Sequence, residues 1–304
     1  MGTCQQICNC DSAEAPDKPS IEPPPLKPTV FHAAVRGHFS RLALRSLQAE
    51  PPVRVTVRGE VLWPVVSSEY EWVEDRVYEQ MGTYTGQMKN GKREGLGIQT
   101  WTNNSKYEGF WKNDKANGLG RLVHSGDEFY EGEWENDMIH GFGEYTSPNG
   151  ARYIGQWRFD KQDGKGTEVW PDGSRFEGEY VNGMKNGKGV MNFKDGSWYE
   201  GNFTENEISG VGTFHWADGR VYAGHWRHNK MNGEGTLSYA DGRIYTGEFV
   251  DDKKEGYGEF VWSDGKRYKG YWKTGKQHGH GMTVDADGTV RSGQWAEGRR
   301  IKNE

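Results

Sequence analysis

The thiol chemistry of the chain is confined to its first ten residues, which include Cys4, Cys8 and Cys10. No other cysteine follows them in the sequence. Thiolates bind zinc, form disulfides or accept acyl chains. The sequence places no fourth ligand and no second CxxC beside them, as a tetrahedral zinc site requires. With no cysteine downstream, no disulfide can staple the rest of the chain. We therefore expect a reducing compartment, no metal, and thiols that are either solvated or palmitoylated.

The first residues also carry an acylation pattern. Removal of Met1 exposes Gly2, the position that myristate modifies, and places Cys4 two residues further on. Gln6 stands where the usual myristoylation pattern has Ser or Thr. Because one myristoyl chain binds a bilayer only marginally, a second signal is required, and palmitate on Cys4, Cys8 or Cys10 is one candidate. The alternative is an unmodified, disordered tail.

No pattern of catalytic residues stands out. His278 and His280 flank a glycine, but no carboxylate partner is fixed by the sequence. Residues 86–92 mimic the start of a phosphate-binding loop, yet Arg93 replaces the Ser or Thr and the stretch is a hairpin. Nucleophile-elbow, zinc-protease and kinase signatures are absent from the sequence. We interpret the histidines as surface residues and predict a protein that is not an enzyme and needs no cofactor.

Composition narrows the class of protein further. The 304 residues include 44 Gly, 13 Trp, 15 Tyr and 12 Phe but only 33% hydrophobic residues, so the core must be aromatic. The net charge of −6 argues against a nucleic-acid binder, whose affinity rests on phosphate neutralisation. No apolar run approaches the ~20 residues that span a bilayer, and no signal peptide is recognisable. We expect a cytoplasmic protein.

A 23-residue period organises most of the chain. An aromatic residue recurs without slippage, a glycine follows two residues later, and a large, mostly aromatic residue follows two after that. The first series consists of Tyr84, Tyr107, Tyr130, Tyr153, Phe176, Tyr199, Tyr222, Tyr245 and Tyr268, with Arg291 as a degenerate tenth member. The third series begins with Met88 and Trp111 and ends with Trp295. A G-x-G pair closes each unit.

The period predicts antiparallel hairpins. Since strand side chains alternate between faces, Tyr, Gly and Trp at i, i+2 and i+4 share one face, and the polar residues between them face water. Asp-Gly pairs such as Asp172-Gly173 and Asn-Gly pairs such as Asn90-Gly91 suit tight turns with positive φ. At each glycine we expect a slot over which a neighbouring aromatic ring lies. Ten stacked hairpins predict an all-β, elongated antiparallel β-solenoid roughly 95 Å long.

The motif Y-x-G-x-W-x-x-G-x-x-x-G-x-G at this period resembles the MORN repeat (membrane occupation and recognition nexus). The resemblance covers residues 84–298 in ten units, with Met88, Phe176 and Arg291 as departures. It implies an elongated β-solenoid used in scaffolding, in attachment to membranes or cytoskeleton and, in some members, in phosphoinositide binding.

The first 83 residues differ from the array. Residues 1–28 are proline-rich towards their end, which predicts a disordered tail with the acylation pattern at its start. Residues 29–48 have apolar residues at helical spacing, and Pro51-Pro52 ends the run. Alternation around Val55 and Val57 predicts a strand, and we expect residues 29–83 to supply this helix and the strands that cap the first edge of the array. Residues 299–304 form a short tail. The predicted helix is basic, with Arg36, Arg41 and Arg45.

Because the repeated aromatic residues form the core, we expect the functional residues to be exposed ones. The most basic part of the array's outer face includes Lys266, Arg267, Lys269 and Lys273, for which phosphoinositide or tubulin contact is the natural expectation. The leading hypothesis is a non-catalytic scaffold or adaptor at the cytoplasmic face of a membrane, binding protein partners that the sequence does not name. The alternative is a structural part of a cytoskeletal or ciliary assembly, such as the radial-spoke heads of axonemes.

Overall fold

A computed structural model describes residues 55–124 and 128–301, all of which belong to one compact unit, Val53–Glu304. The expected tail, with Gly2, Cys4, Cys8 and Cys10, and the expected helix, with Arg36, Arg41 and Arg45, lie outside the described residues. Within them the chain is all-β and contains no helix, which confirms the predicted fold class.

Twenty-three strands make up the described chain. A short hairpin of β1 (Val55–Val57) and β2 (Glu60–Leu62) precedes the main sheet. The main sheet has 21 strands: β3 (Glu71–Tyr78), β4 (Gly82–Lys89), β5 (Lys92–Thr100), β6 (Lys106–Lys112), β7 (Lys115–Val123), β8 (Phe129–Glu135), β9 (Met138–Thr146), β10 (Arg152–Arg158), β11 (Lys161–Val169), β12 (Arg175–Val181), β13 (Met184–Asn192), β14 (Trp198–Thr204), β15 (Glu207–His215), β16 (Val221–Arg227), β17 (Lys230–Ser238), β18 (Ile244–Val250), β19 (Lys253–Val261), β20 (Arg267–Lys273), β21 (Lys276–Val284), β22 (Val290–Ala296) and β23 (Arg299–Ile301).

The strands pair antiparallel in chain order. From β4 onwards they form ten hairpins, β4–β5 through β22–β23, and each hairpin also pairs with the next. Among the register pairs of the described residues, β3 pairs with β4 alone and β23 with β22 alone. The ten predicted units are therefore present as ten hairpins, one after another along a single sheet.

The two faces of the sheet differ as the alternation predicts. Strands such as β10 alternate strictly between exposed and buried residues, with Tyr153, Gly155 and Trp157 buried. We call the face that carries the repeated tyrosines the inward face and the opposite one the outward face. The repeated tyrosines that begin the units are at most 2% exposed, so the aromatic core is continuous along the sheet.

Each tyrosine ring lies over two glycines of its own hairpin. A Cβ atom on Gly97 would stand 2.2 Å from the Tyr84 hydroxyl oxygen and 2.5 Å from its Cζ atom. A Cβ on Gly86 would stand 2.4 Å from the Cα of Gly97, which faces it across the hairpin. The predicted slot is present, but the ring that fills it comes from the same hairpin, because the tyrosine lies only two residues before the first glycine.

Hydrogen bonds fix these rings and join neighbouring hairpins. The Tyr84 hydroxyl donates to the carbonyl of Gln87, three residues on, at 2.8 Å. Trp111 belongs to the next hairpin, and its indole Nε1 donates to the carbonyl of Gly97 at 3.2 Å. Its ring meets Tyr84 and Tyr107 edge-on, with centroids 5.8 and 4.9 Å apart. Edge-to-face pairs stabilise a core by about 0.5–1.5 kcal/mol beyond burial, and here they continue from hairpin to hairpin.

The array has two kinds of turn, one within hairpins and one between them, and only the turns between hairpins differ from the expectation. Within hairpins, both central residues have positive φ, as at Asn90 (52°) and Gly91 (75°), which defines a type I′ turn. At the Asp-Gly turns between hairpins only the glycine has positive φ, for example 90° at Gly173. Asp172 instead accepts a hydrogen bond from the Ser174 amide at 2.9 Å. The loop has three residues in a type I turn with a glycine bulge, because the carboxylate satisfies the backbone there.

The strand expected around Val55 and Val57 is present as β1, but it packs on the outward face. Val55 and Val57 are fully buried with Leu62 against Leu96, and partly buried apolar residues of the outward face surround them. The first edge of the sheet is occupied by β3 instead. The reason is local: in the first hairpins the outward face carries Leu96, Ile98, Phe110 and Leu119, where later hairpins are mostly polar.

We predict that Gly201→Val destabilises the protein far more than Glu200→Gln. A Cβ on Gly201 would lie 2.3 Å from the Tyr199 hydroxyl oxygen and 2.5 Å from the Cα of Gly212, and the backbone cannot yield. Overpacking of this kind costs about 1–3 kcal/mol or more, whereas Glu200 is exposed. Thermal unfolding of both variants measures the difference, and equal melting temperatures would contradict the slot.

We also predict that the protein loses stability at alkaline pH. Burial raises the pKa of Tyr199 and of Tyr268 to about 12, against about 10 in an unfolded chain. Because the folded chain holds these protons more tightly, their contribution is complete below pH ~10 and is lost as the pH rises through the folded values. Melting temperatures should fall steeply over that range, while the phenolate absorbance of the buried repeated tyrosines appears only on unfolding. Smooth ionisation of every tyrosine in the folded protein would contradict this.

Candidate functional site

Candidate binding residues lie on the outward face, since the inward face is filled by the aromatic core. The central outward position of each G-x-G pair varies along the sheet, whereas the inward positions repeat. Along the sheet these central residues are Leu96, Leu119, Phe142, Lys165, Lys188, Val211, Glu234, Tyr257 and His280. The first two are covered by the β1–β2 hairpin or packed against it. The remainder face solvent and differ in charge and size.

The basic cluster predicted from the sequence lies on and beside β20. Arg267 and Lys269 are outward residues of β20, and both reach the carboxylate of Glu259 on β19, at 3.5 and 3.3 Å. Lys266 precedes the strand and lies 3.8 Å from Asp285. The structure thus brings the cluster together but supplies it with acidic partners from other segments of the chain.

Lys273, the last residue of β20, differs from the other members of the cluster. Its side chain is exposed, and within the described residues no carboxylate oxygen lies within 4 Å of its ammonium group. The cluster therefore offers an anionic ligand one unpaired cation and three paired ones. Exposed ion pairs of this kind contribute little to stability, so the paired cations are exchangeable.

An exposed aromatic pair beside the cluster was missed by the sequence reasoning. Tyr257 and Tyr271 are 51% and 52% exposed and meet edge-on, with ring centroids 5.6 Å apart. They face each other across β19 and β20. The signal was available, because the 23-residue period places both of these large aromatic residues at outward positions.

A second outward feature is a carboxamide that binds a passing chain. The Gln87 Oε1 atom accepts hydrogen bonds from the amides of Val65 and Leu96 at 2.7 and 2.9 Å, and Nε2 donates to the Val65 carbonyl at 2.6 Å. The segment between β2 and β3 thereby crosses the outward face, and Gln87 is only 4% exposed. Sequence alone gave no signal for this contact, because Val65 and Gln87 come together only where the β1–β2 hairpin packs on the outward face.

A shallow depression of ≈ 450 Å³ lies further along the same face, between β8 and β11. Its lining includes Glu133, His140, Phe142, Gln156 and Asp163. The Nδ1 atom of His140 is buried without a hydrogen-bond partner among the described residues. On the neighbouring part of β8, burial raises the pKa of Glu131 against the opposing effect of Arg121, and Glu144 raises it further.

Several cations lie on the inward face, where they complete the core. The Lys254 ammonium stands 4.6–5.6 Å from the centroids of four rings, those of Phe260, Tyr245, Trp272 and Tyr239. Lys185 lies over Trp170 at 4.8 Å and pairs with Glu168 at 2.8 Å. These contacts hold the long side chains against the core by cation–π attraction, so the inward aromatic residues are structural.

Residues 55–124 and 128–301 contain no group of three or more histidine, cysteine or carboxylate side chains arranged to hold a metal ion. Within the same ranges, no helix is long and apolar enough to cross a membrane.

The model of the MORN repeat family matches nine consecutive segments: residues 84–106, 107–126, 130–152, 153–175, 176–198, 199–219, 222–242, 245–267 and 268–290. The chain belongs to the MORN repeat family. The matched segments begin at the repeated aromatic residues whose rings cover the glycine pairs. The tenth hairpin, β22–β23, falls outside the match. There the Arg300 side chain replaces the ring, because a Cβ on Gly293 would meet its Nε atom at 2.7 Å.

MORN arrays are repeat scaffolds and are, as a family, generally not enzymes. No curated protein matches the chain. Among solved structures, the chain is similar to the SAS-4 (dCPAP) TCP domain of Drosophila melanogaster in complex with a proline-rich motif of Ana2, at 13% identity over 51% of this chain and 84% of that one, with a TM-score of 0.33. A mutant TCP10 domain of Danio rerio CPAP gives 13% identity over 65% and 99%, with a TM-score of 0.24. A streptogramin B lyase gives 9% identity over 77% and 86%, with a TM-score of 0.15. TM-scores of this size indicate neither shared fold nor shared function.

We predict that Glu259→Gln increases binding of the protein to anionic vesicles. The change releases Arg267 and Lys269 from their shared carboxylate, and each basic residue near an anionic surface adds roughly 1 kcal/mol, or roughly fivefold in affinity. Vesicle co-sedimentation measures the effect. Glu200→Gln changes the net charge equally on a distant strand and is the control. Equal binding by the two variants would show that the ion pairs with Glu259 do not limit binding of the cluster to anionic vesicles.

Proposed function

We propose that this protein is a non-catalytic scaffold or adaptor whose MORN array presents protein-binding surfaces at the cytoplasmic face of a membrane. The observation that carries the proposal is the division between the two faces of the sheet. Inward positions repeat the same tyrosine, glycine and tryptophan contacts, whereas the outward positions vary in size and charge along the array. A repeated core with a variable surface supports a scaffold, because each hairpin can present a different partner site on one rigid frame.

Attachment to the membrane is assigned in this proposal to the N-terminal segment. Myristate on Gly2 and palmitate on Cys4, Cys8 or Cys10 supply apolar anchorage. Arg36, Arg41 and Arg45 supply attraction to anionic lipid headgroups. Neither signal suffices alone, since one myristoyl chain gives a binding constant of about 10⁴ M⁻¹ and each basic residue adds roughly 1 kcal/mol.

The basic cluster on β20 is a second and weaker membrane contact. Phosphoinositide headgroups carry several phosphate charges, so Lys266, Arg267, Lys269 and Lys273 suit them by charge. However, the first three already have carboxylate partners within 4 Å. A cation that exchanges a carboxylate for a phosphate gains less binding free energy than a cation that had no partner. The cluster therefore strengthens membrane attachment through the N-terminal segment without replacing it.

We predict that Gly2→Ala, or joint replacement of Cys4, Cys8 and Cys10 by Ser, moves the protein from the membrane fraction to the soluble fraction. Joint replacement of Arg36, Arg41 and Arg45 by Gln should weaken binding most at low salt, because screening already reduces their effect at high salt. The intact mass of the N-terminal peptide from native cells, with fractionation of each variant, measures both signals.

Joint replacement of Arg267 and Lys269 by Gln is the matched control and should change fractionation least. An N-terminus without lipid, in a protein that sediments with the detergent-insoluble cytoskeleton, would overturn the membrane proposal. That result would favour a structural role in a cytoskeletal or axonemal assembly.

A further inference from the structure

The contact between Gln87 and Val65 provides an internal template for how the outward face binds an extended chain. In an extended residue the N–H and C=O groups point the same way, so one carboxamide can accept from the first and donate to the second. Gln87 does both, at 2.7 and 2.6 Å. The bound segment runs between β2 and β3 and reaches the sheet through backbone atoms, independently of the identity of its side chain.

Gln156 repeats this geometry three hairpins later without an occupant from the described chain. It folds over Gly164, whose Cβ would lie 2.2 Å from its Oε1 atom, just as Gln87 folds over Gly95, where that distance is 2.5 Å. Oε1 accepts the Lys165 amide at 2.7 Å, as Gln87 accepts the Leu96 amide. Unlike Gln87, however, Gln156 is exposed. Its carboxamide is therefore held in the position that receives a chain, with its outward side open.

The surroundings of Gln156 define the side chains that such a segment carries. Phe142 faces Gln156 across β9 and β10 and is 37% exposed, which offers an apolar contact. Glu133 and Asp163 line the same depression, and Arg158 is its one cationic lining residue. The chain's own Arg58, in the turn between β1 and β2, already lies over the Phe142 ring at 4.7 Å from its centroid. The site thus attracts cationic side chains.

We propose that the depression around Gln156 binds an extended, basic segment of a partner protein. The carboxamide of Gln156 exchanges two hydrogen bonds with the backbone of one residue of the segment. A small apolar side chain packs against Phe142, and a lysine or arginine side chain reaches Glu133 or Asp163.

This inference rests on the proposed scaffold function and specifies one of its partner sites. It does not depend on lipid, because the site lies on the array and is tested in solution. Loss of membrane attachment would leave it unaffected, and failure of the peptide site would leave the membrane proposal unaffected.

The test uses the full chain and two synthetic nine-residue peptides, one of alternating lysine and valine and one of alternating glutamate and valine. Nuclear magnetic resonance titration should show the lysine peptide shifting the side-chain amide signals of Gln156 and binding more tightly than the glutamate peptide. Gln156→Leu should weaken binding of the lysine peptide about tenfold, because it removes two hydrogen bonds to the segment. Gln294→Leu, at the equivalent position near the end of the sheet, should leave it unchanged.

Amide spectra of both variants show whether each remains folded, and Phe142→Ser provides a second change at the site, which should also weaken binding. Equal binding of the two peptides to the unmodified protein would overturn the proposal. So would lysine-peptide binding that survives both Gln156→Leu and Phe142→Ser, since the peptide would then sit elsewhere on the acidic surface.

Discussion

The structure depends on the contact between one tyrosine ring and two glycines of the same hairpin. The ring fills the space in which two Cβ atoms would otherwise stand, 2.2 Å from its hydroxyl oxygen at Gly97 and 2.7 Å from it at Gly86. The two glycine Cα atoms then approach each other across the hairpin, and the hydroxyl reaches the Gln87 carbonyl. Because the ring is held on one side by its own hairpin, its other side is available to the next one.

Continuity of the array follows from this arrangement. Trp111 places its ring edge-on to tyrosines of two hairpins and donates its indole N–H to the preceding one. Phe176 keeps the ring contact with its glycines but has no hydroxyl, which shows that the packing of the ring is the essential part. Since the inward positions are fixed by this packing, variation is left to the outward face. That is where the charged cluster, the exposed tyrosines and the carboxamide sites lie.

The sequence predicts the repeat, the strands and the two faces, because each depends on residues within one 23-residue unit. It predicts less well whatever depends on contacts between distant units. β1 was expected at the edge of the sheet, and its position over Leu96 follows from an apolar patch that only the folded outward face assembles. The type of the Asp-Gly turn was missed for a local reason, since the Asp172 carboxylate accepts the Ser174 amide within a three-residue loop.

The candidate sites show the same limit. Lys266, Arg267 and Lys269 were identified from their charge, but their partners Glu259 and Asp285 lie on other segments. Because of these ion pairs, the local net positive charge is smaller than the number of basic residues indicates. Gln156 carried no signal, because a glutamine between a glycine and a tryptophan is ordinary for a solvent-facing position. Its role is recognised only by comparison with Gln87, whose carboxamide hydrogen-bonds the backbone of Val65.

The most direct test of the ring-over-glycine contact is a map of nuclear Overhauser effects between tyrosine ring protons and glycine α-protons. Each ring should show strong effects to the glycine two residues on and to the glycine opposite it in the same hairpin, for example from Tyr84 to Gly86 and Gly97. Turn glycines such as Gly173, whose surroundings are open, should show none. Effects that connect each ring mainly to glycines of the adjacent hairpin, or to no glycine, would contradict the contact on which the fold depends.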